Sequence, residues 1–104
     1  MPQEGVILFE PFGGLCAGLE MALRAGILVH KYIYSDNDPV VARIANKRIK
    51  DMLEKYPALL RPIATRDAFT EVPQDIWDIT KGDFIKAGAT ANGLQWMVVA
   101  GWEC

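Results

Sequence analysis

Short apolar runs alternate with amphipathic stretches along this chain. Val6-Ile7-Leu8-Phe9 is a continuous apolar run closed by a proline and a glycine pair, which predicts a strand buried on both faces. From Gly14 onward, apolar residues recur at helical spacing as far as Gly26, which predicts a first helix and its C-terminal stop. Residues 27–29 and 32–34 are rich in β-branched and aromatic side chains and predict a second strand.

The middle of the chain predicts a long second helix. Asp38 suits the N-cap and Pro39 the first helical position, while Tyr56-Pro57 ends the pattern. The apolar positions expected on its inner face are Val41, Ile44, Ala45, Ile49, Met52 and Leu53.

The remaining residues continue the alternation. Three prolines within residues 57–74 predict a loop with at most a short helix. Residues 76–79 predict a short third strand, and Thr80 can cap a third helix that runs to about Ala87. Residues 94–100 predict a fourth, buried strand.

This order of elements predicts an α/β fold. Strands that alternate with helices and are buried on both faces indicate a Rossmann-like, doubly wound, mostly parallel sheet in a single partial domain over residues 1–104. Ligands of such sheets lie beyond the carboxyl ends of the strands.

Composition narrows the class of protein. The 104 residues are 51% hydrophobic and 23% charged, which is globular and excludes a disordered tail. No apolar run approaches the ~18 residues of a membrane span, and no signal peptide is recognisable, so we expect a soluble, cytoplasmic protein with no membrane partner. Cys16, placed inside the first helix, is interpreted as a small buried hydrophobe, and His30 has no partner at metal-ligand spacing.

Charge is unevenly distributed along the chain. Residues 41–66 hold seven basic and two acidic side chains, a net of +5, within a chain whose net charge is −2. This block could face a polyanion, although such positions are more often the solvated face of a helix.

Three polar or glycine-containing clusters follow predicted strands: residues 10–14, 36–38 and 101–104. Gly13-Gly14 permits a close backbone approach to a ligand, but a tight turn explains it about as well, and the G-x-G-x-x-G spacing is absent. Asp36 lies ~20 residues beyond the glycines, where a carboxylate can accept hydrogen bonds from both ribose hydroxyls. A surface turn would also explain Asp36, but together the two features favour an adenosine-containing cofactor.

In their order, five segments resemble the N-terminal motifs of DNA cytosine-5 methyltransferases. The resemblance spans Val6 to Cys104, the first part of that catalytic domain, with a longer insertion near residues 55–73. The matching segments are Leu8-Phe9-Glu10-Pro11-Phe12-Gly13-Gly14-Leu15, Ala25-Gly26-Ile27, Tyr34-Ser35-Asp36-Asn37-Asp38-Pro39, Trp77-Asp78-Ile79-Thr80 and Val99-Ala100-Gly101-Trp102-Glu103-Cys104.

The resemblance implies that S-adenosylmethionine binds across the first turn. Phe9 would lie against the adenine, and Asp36 would hold the ribose. Asn37 stands where the family often has a bulky residue that packs on the adenine. Asp78 and Ile79 match the motif that recognises the adenine ring and its amine. The full set of implied cofactor contacts is Phe9, Glu10, Pro11, Phe12, Gly13, Gly14, Asp36, Asn37, Asp78, Ile79 and Gly101.

Cys104 matches the catalytic cysteine of the family, and DNA is the implied partner. In that family the thiolate adds to carbon 6 of a flipped-out cytosine, and carbon 5 then takes the methyl group. A soft thiolate suits this addition, and the flipped base needs a pocket.

The chain departs from the family pattern at three places. Pro11 stands where the family has a glycine, Glu103 stands where it has a proline, and the sequence ends at Cys104, before the target-recognition region. We therefore expect that this chain alone does not methylate DNA. The fourth strand should be an exposed edge that pairs with a second copy or with the missing C-terminal part.

Two other functions remain open from the sequence. The first is a non-catalytic module that binds S-adenosylmethionine or a nucleotide and acts through a protein partner. The second is a small interaction domain without a ligand.

Overall fold

Three parallel strands form a sheet at the centre of the protein. The computed structural model describes residues 5–11, 14–70, 73–74, 78–86 and 95–99. The strands β1 (Val6–Pro11), β2 (Val29–Ser35) and β3 (Gln95–Val98) lie in the order β2-β1-β3. Because both neighbours run parallel to β1, the carboxyl ends of all three strands lie at one edge of the sheet.

Four helices occur among the described residues: α1 (Ala17–Arg24), α2 (Pro39–Lys55), α3 (Pro62–Thr65) and α4 (Lys81–Lys86). The chain passes from β1 through α1 to β2 on one side of β1, whereas β3 lies on the other side. A parallel sheet of this kind is α/β and compatible with a Rossmann-like fold, which confirms the predicted fold class at that level.

Side chains alternate between the two faces of the sheet. On one face, a large cluster joins Leu8, Tyr32 and Tyr34 to buried residues of α1 and α2. On the other face, Ile7, Phe9 and Ile33 form a second cluster, with Ile79 and Trp96 packed against it. The first strand is therefore buried on both faces, as its continuous apolar run predicts.

The predicted second helix is confirmed, with one error on its inner face. The Asp38 carboxylate accepts hydrogen bonds from the N–H groups of Val40 and Val41 at 2.9 and 3.4 Å, and Pro39 occupies the first turn. Ile44 is 45% exposed instead of buried. The helix face that packs against the core contains the next residue, Ala45, so the Ile44 side chain points away from that face. The residues buried on that face are Ala45, Ile49 and Met52.

The predicted third strand is wrong in its described part. Asp78 and Ile79 form no strand, while residues 76 and 77 lie outside the described residues. The backbone turns here because Thr80 starts α4. The Thr80 N–H donates to Asp83 Oδ2 at 2.8 Å, and the Asp83 N–H donates to Thr80 Oγ1 at 3.4 Å. This reciprocal capping box confirms the predicted cap.

The other predicted elements are confirmed where the structure describes them. The fourth predicted strand is β3, and Leu94 and Ala100 lie outside the described residues. Residues 57–70 hold only the four-residue α3, and Leu60 forms a parallel bridge with Val29 beside β2. Within the described ranges no helix is both long and apolar enough to cross a membrane.

The outer edge of β3 pairs with no strand of the described part of the chain. Val98 at this edge is 60% exposed. Self-association through this edge stays a prediction.

Gly18 allows α1 to lie unusually close to the sheet. A Cβ at this position would lie 2.7 Å from Val99 Cγ1 and 3.0 Å from Glu10 Cδ. Real Cβ atoms do not approach other atoms so closely, so any larger residue must push α1 away from β1 and from the end of β3.

We therefore expect Gly18→Ala to lower the free energy of unfolding by about 1–3 kcal/mol. Gly82 in α4 is the matched control, because its Cβ would meet only Thr80 Oγ1, at 3.6 Å. Gly82→Ala should be neutral or stabilising by about 0.5–1 kcal/mol. Urea unfolding followed by circular dichroism measures both variants. Equal stability of the two would contradict the close packing at Gly18.

Candidate cofactor site

The turn after β1 and the residue after β2 meet at the carboxyl edge of the sheet. Pro11 pairs with Ser35 at the ends of these strands. The Gly14 N–H donates a hydrogen bond to Asp36 Oδ2 at 3.0 Å, although the two residues are 22 positions apart. The structure thus brings together Gly14 and Asp36, the two features that the sequence predicted for an adenosine site.

Tyr34 holds the other side of Gly14. Its hydroxyl donates to the Gly14 carbonyl oxygen at 2.7 Å, and Gly14 has a φ of 52°, in the left-handed region that favours glycine. Burial, and then the nearby Asp36 carboxylate, raise the pKa of Tyr34, so the hydroxyl remains a donor. The sequence places Tyr34 in a strand and in the segment around Asp36, but neither pattern indicates a contact with Gly14, which lies 20 positions away.

The Asp36 carboxylate keeps capacity to bind a ligand. Oδ2 accepts from Gly14, and Oδ1 accepts from the Asp38 N–H at 3.0 Å. An ionised carboxylate has about four acceptor positions, so about two remain. They suit the two hydroxyls of a ribose.

Gln74 fixes the segment that follows α3 to the end of β2. Its Nε2 donates to the carbonyl oxygens of Tyr34 and Phe69 at 2.9 and 2.8 Å, and its Oε1 accepts from the Asp36 N–H at 3.2 Å. The Ser35 hydroxyl lies 3.1 Å from the Pro73 carbonyl oxygen and 3.0 Å from that of Gln74. No local pattern marks Gln74, since its contacts with β2 and Asp36 span 38–40 positions.

An open cavity of about 520 Å³ lies beside Asp36, between the start of α2 and the segment around Gln74. Its size is within the range of small-molecule sites. Asp78 and Ile79 do not line it. The lining residues are Asp36, Asn37, Pro39, Ala42, Arg43, Asn46, Phe69 and Gln74.

The other residues predicted for the cofactor lie in different surroundings. Phe9 is 6% exposed within the Ile7 and Ile33 cluster, and Ile79 packs against the same cluster. Pro11 is the last residue of β1, and Asp78 is exposed. Their contacts with a cofactor stay predictions. Phe12, Gly13, Gly101 and Cys104 lie outside the described residues.

Glu10 points to the sheet face that carries α1. It is 2% exposed, and its carboxyl oxygens accept the N–H groups of Gly18 at 3.0 Å and Leu19 at 3.1 Å. The Tyr32 hydroxyl also donates to it at 2.8 Å. Burial raises the pKa of Glu10, and these three hydrogen bonds oppose the shift without cancelling it.

Cys16 occupies the N-cap of α1, which corrects its predicted place inside the helix. Its φ of 63° is left-handed, so the helix begins only at the next residue. Its predicted burial is confirmed. Burial raises the pKa of this thiol to about 12, so it remains protonated at neutral pH and is a poor nucleophile.

Comparisons with protein-family models, curated proteins and solved structures find no match to this chain. The function proposed below therefore rests on the contacts described above and on the resemblance of the sequence motifs.

The raised pKa of Glu10 predicts a pH-dependent contribution to stability. A raised pKa means that the folded state binds the proton more tightly than the unfolded state. We expect the stability of the unmodified protein relative to Glu10→Gln to be highest below about pH 4.5. It should fall as pH rises toward the raised pKa, by at most about 1.4 kcal/mol per pH unit.

Urea unfolding between pH 4 and 8 measures this difference. Glu54→Gln, at an exposed position of α2, is the control and should show no comparable trend. A difference that grows with pH would mean that the hydrogen bonds to the carboxylate outweigh its burial.

The burial of Cys16 predicts a thiol that is inert in the folded protein. In a Cys104→Ser variant, Ellman's reagent at pH 8 should react with Cys16 at least about a hundredfold more slowly than with an unfolded chain, because little thiolate forms. The same sample in guanidinium chloride should release one equivalent of thiol at once. Rapid reaction under native conditions would show that the N-cap of α1 opens readily.

Proposed function

We propose that this chain is the cofactor-binding part of an S-adenosylmethionine-dependent DNA cytosine-5 methyltransferase. The observation that carries the proposal is the hydrogen bond between Gly14 and Asp36 at the carboxyl edge of β1 and β2. It joins a glycine turn to a carboxylate at the end of the neighbouring strand, which is the arrangement that adenosine-binding α/β folds use.

The residues present fit the adenosine part of this cofactor. Asp36 retains acceptors for ribose hydroxyls, and the adjacent cavity is large enough for a nucleoside. The Tyr34 hydroxyl donates a hydrogen bond to Gly14, and the Gln74 side chain accepts one from the Asp36 N–H. These two contacts hold Gly14 and Asp36 in place. When bound, the cofactor supplies an electrophilic methyl group.

The methyl-transfer part of the proposal rests on the resemblance at Cys104. Its thiolate would add to carbon 6 of cytosine, and carbon 5 would take the methyl group from the sulfonium sulfur, which leaves as the thioether of the demethylated cofactor. Loss of the proton on carbon 5 would then expel the thiolate and restore the ring. Cys16 offers no alternative nucleophile, because burial raises its pKa to about 12.

Exposed basic side chains on α2 support a polyanionic partner. Arg43, Lys47 and Lys50 follow one another at helical spacing and form no ion pair among the described residues. Such side chains can contact DNA phosphates.

Binding of the demethylated product, S-adenosylhomocysteine, tests the cofactor site. Calorimetry should show saturable binding to the unmodified chain. Asp36→Asn should weaken it at least about tenfold, because the ribose loses a charged acceptor.

Asp51→Asn is the matched control, since it removes the same charge from an exposed position on α2 and should leave the affinity unchanged. Thermal unfolding of both variants shows whether Asp36→Asn remains folded. Absence of binding at millimolar ligand to the folded, unmodified chain would overturn the proposal.

A further inference from the structure

The first turn of α1 binds a carboxyl group that belongs to the protein itself. In α/β nucleotide-binding folds, the free N–H groups at the start of this helix bind the phosphates of the ligand. Here the N–H groups of Gly18 and Leu19 donate to the two carboxyl oxygens of Glu10. The N-cap residue, Cys16, supplies no side-chain cap, so Glu10 takes that role from the preceding strand.

The contact leaves no room for a phosphate at the N–H groups of Gly18 and Leu19. Glu10 is 2% exposed, and its Cδ would lie 3.0 Å from a Cβ at Gly18. The Tyr32 hydroxyl donates to Glu10 from the other side. A phosphate at these N–H groups would have to displace a buried side chain that is bound by three hydrogen bonds.

Gly14, the first described residue after β1, has an N–H that is also engaged. The Gly14 N–H donates to Asp36, whose carboxylate lies at the rim of the cavity. A phosphate placed here would lose the hydrogen bonds it needs and would face a carboxylate, and like charges at short range repel. Three backbone N–H groups are thus bound to carboxyl groups of the protein: that of Gly14, before α1, and those of Gly18 and Leu19, in the first turn of α1.

We propose that Glu10 is a specificity-determining residue that excludes 5′-phosphorylated nucleosides, so that the site accepts adenosine derivatives whose 5′ carbon carries no phosphate. Nucleosides and 5′-thioethers belong to the accepted class, whereas adenosine monophosphate, diphosphate and dinucleotides belong to the excluded one. The inference rests on the proposed adenosine site and adds a residue that determines its selectivity. It disfavours a nucleotide-binding module as the function of this chain.

Two ligands that differ only in the phosphate test this selectivity. Adenosine should bind the unmodified chain at least about tenfold more tightly than adenosine monophosphate. Glu10→Ala frees the N–H groups of Gly18 and Leu19. The ratio of the affinity for adenosine to the affinity for adenosine monophosphate should therefore fall at least about tenfold. Glu20→Ala is the control, because it removes a glutamate side chain from α1 itself, whereas Glu10 lies on β1, and it leaves the capping contact intact. Its ratio should equal that of the unmodified chain.

Inorganic phosphate provides a test that does not depend on the adenosine site. In ¹⁵N-labelled protein, phosphate should leave the amide resonances of Gly18 and Leu19 unmoved in the unmodified chain and in Glu20→Ala. It should shift them in Glu10→Ala. If adenosine fails to bind but this pattern holds, the proposed function is wrong and the role of Glu10 stands.

Two results would overturn the inference. One is equal affinity of the unmodified chain for adenosine and adenosine monophosphate, which can be measured even if Glu10→Ala does not fold. The other is a phosphate-induced shift of the Gly18 and Leu19 resonances while Glu10 is present.

Discussion

The carboxyl group of Glu10 holds the first helix against the sheet from within the protein. It lies at the end of β1, and its hydrogen bonds to Gly18 and Leu19 supply the cap that Cys16 does not provide. Burying a carboxyl group is costly unless hydrogen bonds satisfy it, and here three donors do so. The glycine at position 18 permits this close approach, because a Cβ there would lie 2.7 Å from Val99 Cγ1 and 3.0 Å from Glu10 Cδ.

The candidate site depends on this anchored helix. Once α1 is fixed, the turn before it places Gly14 within reach of Asp36 and Tyr34, which come from the neighbouring strand. Gln74 then attaches a distant segment to the same strand end and closes one side of the cavity. Two carboxyl groups therefore organise one turn: Glu10 from the interior and Asp36 from the rim.

The carboxyl groups of Glu10 and Asp36 differ in solvent exposure, and therefore in what they can contact. Glu10 is buried and its carboxyl group accepts the N–H groups of the first turn of α1, so it acts as a structural cap and, in our proposal, blocks phosphate from these donors. Asp36 lines an open cavity and keeps acceptor positions free, so it can contact a ligand directly. A sequence pattern that contains both residues does not distinguish these roles.

The sequence alone determined the features that depend on neighbouring residues. The continuous apolar run of β1, the Asp38-Pro39 start of α2 and the Thr80 cap of α4 are local patterns, and the structure has them where the sequence predicts. The rule that ligands lie at the carboxyl ends of parallel strands placed Gly14 and Asp36 at one edge. It could not show that they bond to each other.

Only the tertiary structure decided the contacts between distant residues. The inward orientation of Glu10 depends on which face of β1 receives α1, and the role of Gln74 depends on how the segment after α3 returns to β2. Local signals also failed where packing overrode them, as at Ile44, which the helix turns outward, and at Asp78 and Ile79, where the cap of α4 interrupts the predicted strand. Periodicity describes one element at a time, whereas these outcomes depend on the arrangement of several elements around a shared core.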